Sequence, residues 1–122
     1  MTPYSQAGRA YVEADVATAS PHRLVVMLYD GAIRFLHQAA VATRAGRGDV
    51  ARKRIRAARA IIGELDFCLD MSQGEIPARL RSIYKFCNRH LSDSMANTDP
   101  EGFERVARLL ADLRASWEQI ET

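Results

Sequence analysis

The 122-residue sequence predicts an all-α fold, an antiparallel up-down-up-down four-helix bundle with an N-terminal arm. Three observations carry that prediction. Apolar residues recur at spacings of three and four in four successive stretches, the period of a helix buried along one face. Each stretch is cut from the next by a short break of Gly, Pro, Asn, Asp or Ser. No run alternates apolar and polar residues between turn signals, as a half-buried strand would. Amphipathic helices joined by short breaks pack most simply as antiparallel neighbours. The length suits one domain, with residues 1–18 as the arm and 19–122 as the bundle.

The arm is polar and Ala-rich and contains Tyr4 and Tyr11. It reads as an extended or loosely helical lead-in. The first helix starts at Ser20-Pro21. The Ser20 hydroxyl can take an orphan N–H, and Pro21 suits the first helical position, where its missing N–H had no partner. Leu24, Leu28, Phe35 and Ala39 form its stripe, widened by Val25, Ala32 and Leu36. Gly31 costs up to about 1 kcal/mol against Ala in mid-helix, which a close neighbour or ligand would explain. Gly46-Arg47-Gly48 ends this helix.

Asp49 is the expected cap of the second helix, whose seam is Ala51, Ile55, Ala58, Ile62, Leu65 and Leu69. The pattern runs to about Met71, a helix of roughly 35 Å. Ser72-Gln73-Gly74 breaks it. The third helix begins near residues 75–77 and carries Leu80, Ile83, Cys87 and Leu91. Pro77 is tolerable there only within the first turn. After Asn97-Thr98, Asp99-Pro100 repeats the cap-then-proline start. The fourth helix carries Phe103, Val106, Leu110, Leu113, Trp117 and Ile120. Trp117 falls on the core seam, and its indole N–H then needs a partner.

An apolar share of 48% favours a folded chain over a disordered one. No leader-like N-terminal run stands out, and no apolar run approaches the roughly 20 residues that cross a bilayer. Membrane insertion is therefore not expected. Cys68 and Cys87 lie about 10 Å apart in height on adjacent helices, beyond the roughly 7 Å that a disulfide spans. Two free thiols packed as small hydrophobes are expected, which fits a cytoplasmic location. Inward Glu-x-x-His pairs are missing, and His22, His37 and His90 stand without ligand-spaced partners, so no metal or other cofactor is expected. Gly46-x-Gly48-x-x-Ala51 follows a helix and not a strand, which removes a dinucleotide reading. With no base fixed beside a nucleophile, the chain is not read as an enzyme.

Apart from Lys53 and Lys85, every basic residue is Arg. Residues 44–59 concentrate them: Arg44, Arg47, Arg52, Lys53, Arg54, Arg56 and Arg59 against Asp49 alone. This is either the solvated face of an amphipathic helix or a surface for an acidic partner. The alternative function is a small basic helical-bundle regulator binding nucleic acid through residues 44–59. Against it, aromatics are not interleaved and the net charge is only +2. No nucleic acid is expected as a partner.

The run Thr18-Ala19-Ser20-Pro21-His22-Arg23-Leu24-Val25-Val26-Met27-Leu28-Tyr29-Asp30-Gly31-Ala32-Ile33 resembles the signature of the FliS family of flagellar export chaperones. Weaker similarities follow at Ala10-Tyr11, at Ala60-Ile61-Ile62 with Glu64-Leu65, at Gly74-Glu75-Ile76, at Ile83-Tyr84, and at Leu109-Leu110 with Trp117. Pro77 departs from the Ala common in that family. The resemblance implies a cytosolic chaperone that binds the disordered C-terminal segment of flagellin, prevents premature polymerisation and helps deliver the subunit to the flagellar type III export apparatus. An export-gate component or a regulatory protein is a further partner of that reading, and the chain is expected as a monomer or homodimer.

Grooves between helices can seat apolar anchors of an extended or helical client. Candidate client-binding residues are Tyr11, Leu24, Tyr29, Asp30, Ile61, Tyr84 and Phe86. Tyr11 either lies over a groove until a client arrives or simply staples the arm. Leu28 and Tyr29 sit about 100° apart on a helix, so only one faces inward. Leu28 is assigned to the core, and Tyr29 to the flank with Asp30, as client contact or interhelical hydrogen bonding. Ile61, Tyr84 and Phe86 are either wide core or groove lining, with Ile83 and Cys87 taking the core positions. On this assignment Tyr29→Ala weakens client binding more than it lowers the melting temperature.

Overall fold

Ser20 opens the first helix as its sequence predicts: its hydroxyl accepts the Arg23 N–H at 3.1 Å, and Pro21 follows it. The computed structural model describes residues 20–119. Among them lie α1 (Pro21–Arg44), α2 (Gly48–Phe67), a short 3-10 turn (Met71–Gln73), α3 (Glu75–Ala96) and α4 (Pro100–Gln119). The expected arm, with Tyr4 and Tyr11, lies outside the described residues.

Each helix packs on its neighbours in sequence, and α1 against α4 closes the ring. Pair registers fix the directions. Going up α1, His22 meets Trp117, Asp30 meets Arg114 and Arg44 meets Glu104, so α4 runs down. Asp66 with Arg81 and His90 with Arg105 show the same reversal for α2 with α3 and for α3 with α4. The helices form an antiparallel four-helix bundle.

The turns show how the reversals are made. Arg47 N–H reaches Ala42 O at 2.8 Å and Gly46 N–H reaches Thr43 O at 3.1 Å, while Gly46 takes φ +75°. This pair of hydrogen bonds around a left-handed residue closes α1. The same pattern ends α3, with Asp99 N–H to Ser94 O at 2.8 Å and Thr98 N–H to Met95 O at 3.3 Å. There the left-handed position is Thr98, at φ 51°. At the start of α2, Arg47 holds the cap position without a side-chain bond, and Asp49 sits inside the first turn. Its charge suits the positive helix end, but it is not the expected cap. Asp99 precedes α4 as expected, with its carboxylate on Arg105 at 3.0 Å.

The core of α2 follows the predicted seam, with Ala51, Ile55, Ala58, Ile62 and Leu65 all buried. Phe103, Val106 and Leu110 of α4 are buried likewise, while Leu113 and Trp117 pack partly buried against them. α2 stops at Phe67 and not near Met71. Asp70 captures the Ser72 N–H at 3.1 Å and hydroxyl at 2.6 Å, turning the chain into the 3-10 segment, and Arg81 pins Asp66 at 2.9 Å. These bonds hold the Asp70 carboxyl below its usual range. Leu69 is therefore a linker residue. Cys68 is also exposed at the helix end, although Cys87 is buried and free as expected. Burial pushes the Cys87 thiol up to about 11.

The inward face of α1 also differs from the expected stripe. It carries Val26, Tyr29, Ala32, Leu36, Ala39 and Ala40, whereas Leu24, Leu28 and Phe35 are only partly buried. Small residues along this face let both neighbours approach closely. A Cβ on Gly31 would stand 3.2 Å from Ile61 Cδ1, so the glycine serves a close helix neighbour. By length and composition α1 is also apolar enough to cross a membrane, contrary to expectation. A helix packed against two neighbours passes the same test, and Ala32, Leu36 and Ala39 are sealed inside the bundle.

Candidate functional site

Where the 3-10 turn joins α2 to α3, the core opens into a groove of about 460 Å³. All four helices line it: Val25 from α1, Leu65 from α2, Leu80 and Tyr84 from α3, and Trp117 from α4. Cys68, Leu69, Ile76 and Pro77 extend the apolar wall, and Asp70 and Gln73 supply its polar edge. Phe67 is 83% exposed and Ile76 is 72% exposed at this end. Ile76, so exposed in the wall of this opening, marks a surface able to seat apolar anchors. Elsewhere between α1 and α4, Arg114 holds both Asp30 oxygens and donates to Glu118 at 2.9 Å. These carboxylates keep the guanidinium firmly protonated.

Beneath the groove, the Tyr29 and Tyr84 hydroxyls are hydrogen-bonded at 2.5 Å. The rings come from diagonally opposite helices and are 0% and 2% exposed. Burial raises both phenols above their usual range, since neither can ionise cheaply away from water. For Tyr84, its bond to Tyr29 adds to the rise; for Tyr29, bonding from Tyr84 and a secondary contribution from the Trp117 indole oppose it.

The seven predicted site residues therefore separate. Tyr29 is not at the flank: it fills the core, and its partner is a residue 55 positions away. Tyr84 likewise takes the core position, with Ile83 left partly buried beside it, and it also lines the end groove. Asp30 serves the Arg114 ion pair. Ile61 is partly buried and packs toward Gly31. Leu24 is half-buried in the first turn of α1. Phe86 stands 48% exposed on α3, its ring stacked on His90 at 5.6 Å, away from the end groove. Tyr11 lies outside the described residues. The structure brings Tyr29, Tyr84 and Trp117 together and leaves Phe86 apart.

Leu69, Ile76 and Leu80 were missed as lining residues. Their signal was present: Phe67, Leu69, Met71 and Ile76 make the α2–α3 break far more apolar than a turn requires.

The basic stretch lies on a different face. Arg44 pairs with Glu104 through two bonds of 2.7 and 2.8 Å, raising the arginine's pKa and lowering the glutamate's. Arg54 lies over the Phe35 ring, 5.8 Å from its centre. No group of three or more His, Cys, Asp or Glu able to hold a metal occurs among the described residues.

The chain matches the family model described as "Flagellar protein FliS" over residues 4–122. It is 32% identical over 110 residues to a protein of Vibrio cholerae serotype O1 named "Flagellar secretion chaperone FliS", covering 89% of this chain and 81% of that one. A protein of the same name from Salmonella typhimurium is 34% identical over 113 residues, covering 89% of this chain and 82% of the relative. One from Bacillus subtilis is 30% identical over 110 residues, covering 90% and 82%.

Proposed function

We propose, from the premise that this chain belongs to the FliS family of flagellar secretion chaperones, that it binds the disordered C-terminal segment of flagellin in the cytoplasm. Binding keeps that segment from polymerising early and assists delivery to the flagellar type III export apparatus. The observation that carries this reading is the end groove, walled by apolar side chains from all four helices, with Ile76 of its wall largely exposed.

A disordered client loses conformational freedom when it binds, so it needs many anchors spread over a wide surface. The end groove supplies one socket for such an anchor. The Tyr29–Tyr84 bond supports its floor, so the socket does not have to form on arrival. Chaperoning of this kind needs no bond-making step, only occupation of the surface the client would otherwise use to polymerise.

Calorimetry of the full chain with a synthetic flagellin C-terminal segment tests the proposal. Micromolar or tighter binding is expected, with a negative heat-capacity change from apolar burial. Ile76→Asp should weaken it about tenfold or more, because the carboxylate must be desolvated beside the anchor. Absence of binding to the unmodified chain overturns the reading. Binding that ignores Ile76→Asp moves the client off this groove.

A further inference from the structure

The α1–α2 face carries a second groove, of about 680 Å³, which the client reading leaves unused. Val41, 68% exposed, together with Ala42 and Val50, supplies its apolar surface. Arg34, Arg47 and Arg54 line it as well. From Arg34 to Ala45, the C-cap of α1, the lining spans about three helical turns, roughly 16 Å.

The arginines of this groove differ from those that hold the bundle together. Arg44, Arg81, Arg105 and Arg114 each bridge to a carboxylate on another element or its adjoining turn. Arg34, Arg47 and Arg54 form no ion pair among the described residues. Arg54 is instead held over an aromatic ring, an arrangement that orders the guanidinium without neutralising it. Arg52, Lys53 and Arg56 are exposed on the same helix and strengthen the positive field. The result is an aliphatic strip bordered by guanidinium groups that pair with no carboxylate among the described residues.

We propose that the α1–α2 groove docks an acidic amphipathic helix of a second protein. Aliphatic anchors at helical spacing seat against Val41 and Val50, and flanking Asp or Glu side chains pair with Arg34, Arg47 and Arg54. The surface favours a helix over nucleic acid. Among the described residues no Tyr, Phe or Trp lines it to stack a base, and an aliphatic strip contributes nothing to a phosphate backbone.

Fluorescence anisotropy on the full chain tests this with two labelled synthetic helices of about 18 residues, long enough to cover the groove. Both carry the same leucine stripe; one is flanked by Glu and the other by Lys. The Glu-flanked helix should bind at least about tenfold tighter, with affinity falling as salt rises. Arg34→Glu combined with Arg47→Glu, both at exposed positions, should reverse that preference. Val41→Asp, equally exposed, should weaken the Glu-flanked helix and guards against a folding defect in the double variant. The flagellin C-terminal segment should bind the double variant as it binds the parent. Equal binding of the two helices, or an unreversed preference, overturns the proposal. So does an equal loss of flagellin binding, which would make the groove part of the client site. Retention of duplex DNA that the double variant abolishes would assign the surface to nucleic acid and also overturn it.

Discussion

The Tyr29 hydroxyl meets the Tyr84 hydroxyl at 2.5 Å across the diagonal of the bundle, and both rings are buried. One hydroxyl donates to the other within the packed core. Removing one leaves the other unsatisfied, at about 1–3 kcal/mol, whereas removing both leaves two apolar rings of nearly the same shape. Tyr29→Phe and Tyr84→Phe should therefore each lower the melting temperature, and the double variant should recover much of the loss. Thermal circular dichroism of the four chains completes the cycle, and additive losses would refute the coupling. Tyr29→Ala should cost about 3–5 kcal/mol through the cavity it leaves. That effect on folding replaces the sequence-based expectation that Tyr29→Ala acts mainly on client binding.

Why Tyr29 was misplaced is instructive beside α2, whose seam was legible from Ala51 to Leu65. Between the buried positions of α2 stand Arg52, Lys53, Arg56 and Arg59, so charge marks the outside and periodicity has one solution. From Leu24 to Tyr29, α1 is apolar at every position, and it packs against both α2 and α4. Several stripes fit such a run. A phenol also reads as a flank residue unless a buried partner exists, and that partner lies 55 residues away. The end groove was hard to read for the same reason. Val25, Leu65, Leu80 and Trp117 converge only once four helices are placed. Caps and breaks depend on neighbours in sequence, so Ser20-Pro21 and the turn around Gly46 were readable locally.

The tyrosine pair also sets an alkaline limit on folding. Both folded pKa values are raised from the ordinary 10.0. Their contribution to stability is therefore complete below pH 10 and is lost as pH climbs through the raised values, because only the unfolded chain ionises readily. Ultraviolet titration should show late tyrosinate absorbance rising together with loss of helical dichroism. In the Tyr29→Phe, Tyr84→Phe chain, that coincident step should disappear. Tyrosinate formation by these residues in a chain still fully helical would contradict the assignment.

Two helical glycines should respond differently to alanine. A Cβ on Gly102 would stand 2.0 Å from Ser94 Oγ and 2.7 Å from Ser94 Cβ. The hydroxyl can rotate away, but the Cβ moves only if α3 and α4 separate. Gly102→Ala should lower stability by about 1–3 kcal/mol, the usual cost of overpacking. On Gly31 the new atom meets the flexible tip of Ile61 at 3.2 Å, while helix propensity gains up to about 1 kcal/mol. In an Ile61→Val background, which lacks that tip, Gly31→Ala should raise the melting temperature. Equal responses at the two positions would show that interhelical spacing does not govern them.

Thr98 offers a way to stabilise the chain. Its φ of 51° forces a β-branched residue into the left-handed region at the end of α3, where Gly46 does the same work after α1. Left-handed backbone costs an L residue about 1–2 kcal/mol. Thr98→Gly removes that strain but adds freedom to the unfolded chain. The net gain should be about 0.5–1 kcal/mol, read as an upward shift in the denaturant midpoint at constant m-value. An unchanged or lower midpoint would mean that Thr98 makes compensating contacts in the turn.

Trp117 is the sole tryptophan in the sequence, and it lines the end groove from α4, its ring 6.0 Å from that of His22. Its indole is partly buried, so it senses water entering or leaving that opening. Filling the groove with an apolar anchor should shift its emission to shorter wavelength. A flagellin C-terminal segment without tryptophan should therefore produce a saturable blue shift in the full chain. The midpoint should match calorimetry, and Ile76→Asp should move both together. An anchor that binds elsewhere would register by calorimetry while leaving the emission maximum in place. Because the groove of Arg34, Val41 and Arg54 does not include Trp117, an acidic helix docked there should leave the indole signal unchanged. One fluorophore thus separates the two surfaces: a blue shift produced by the Glu-flanked helix would place it in the client groove.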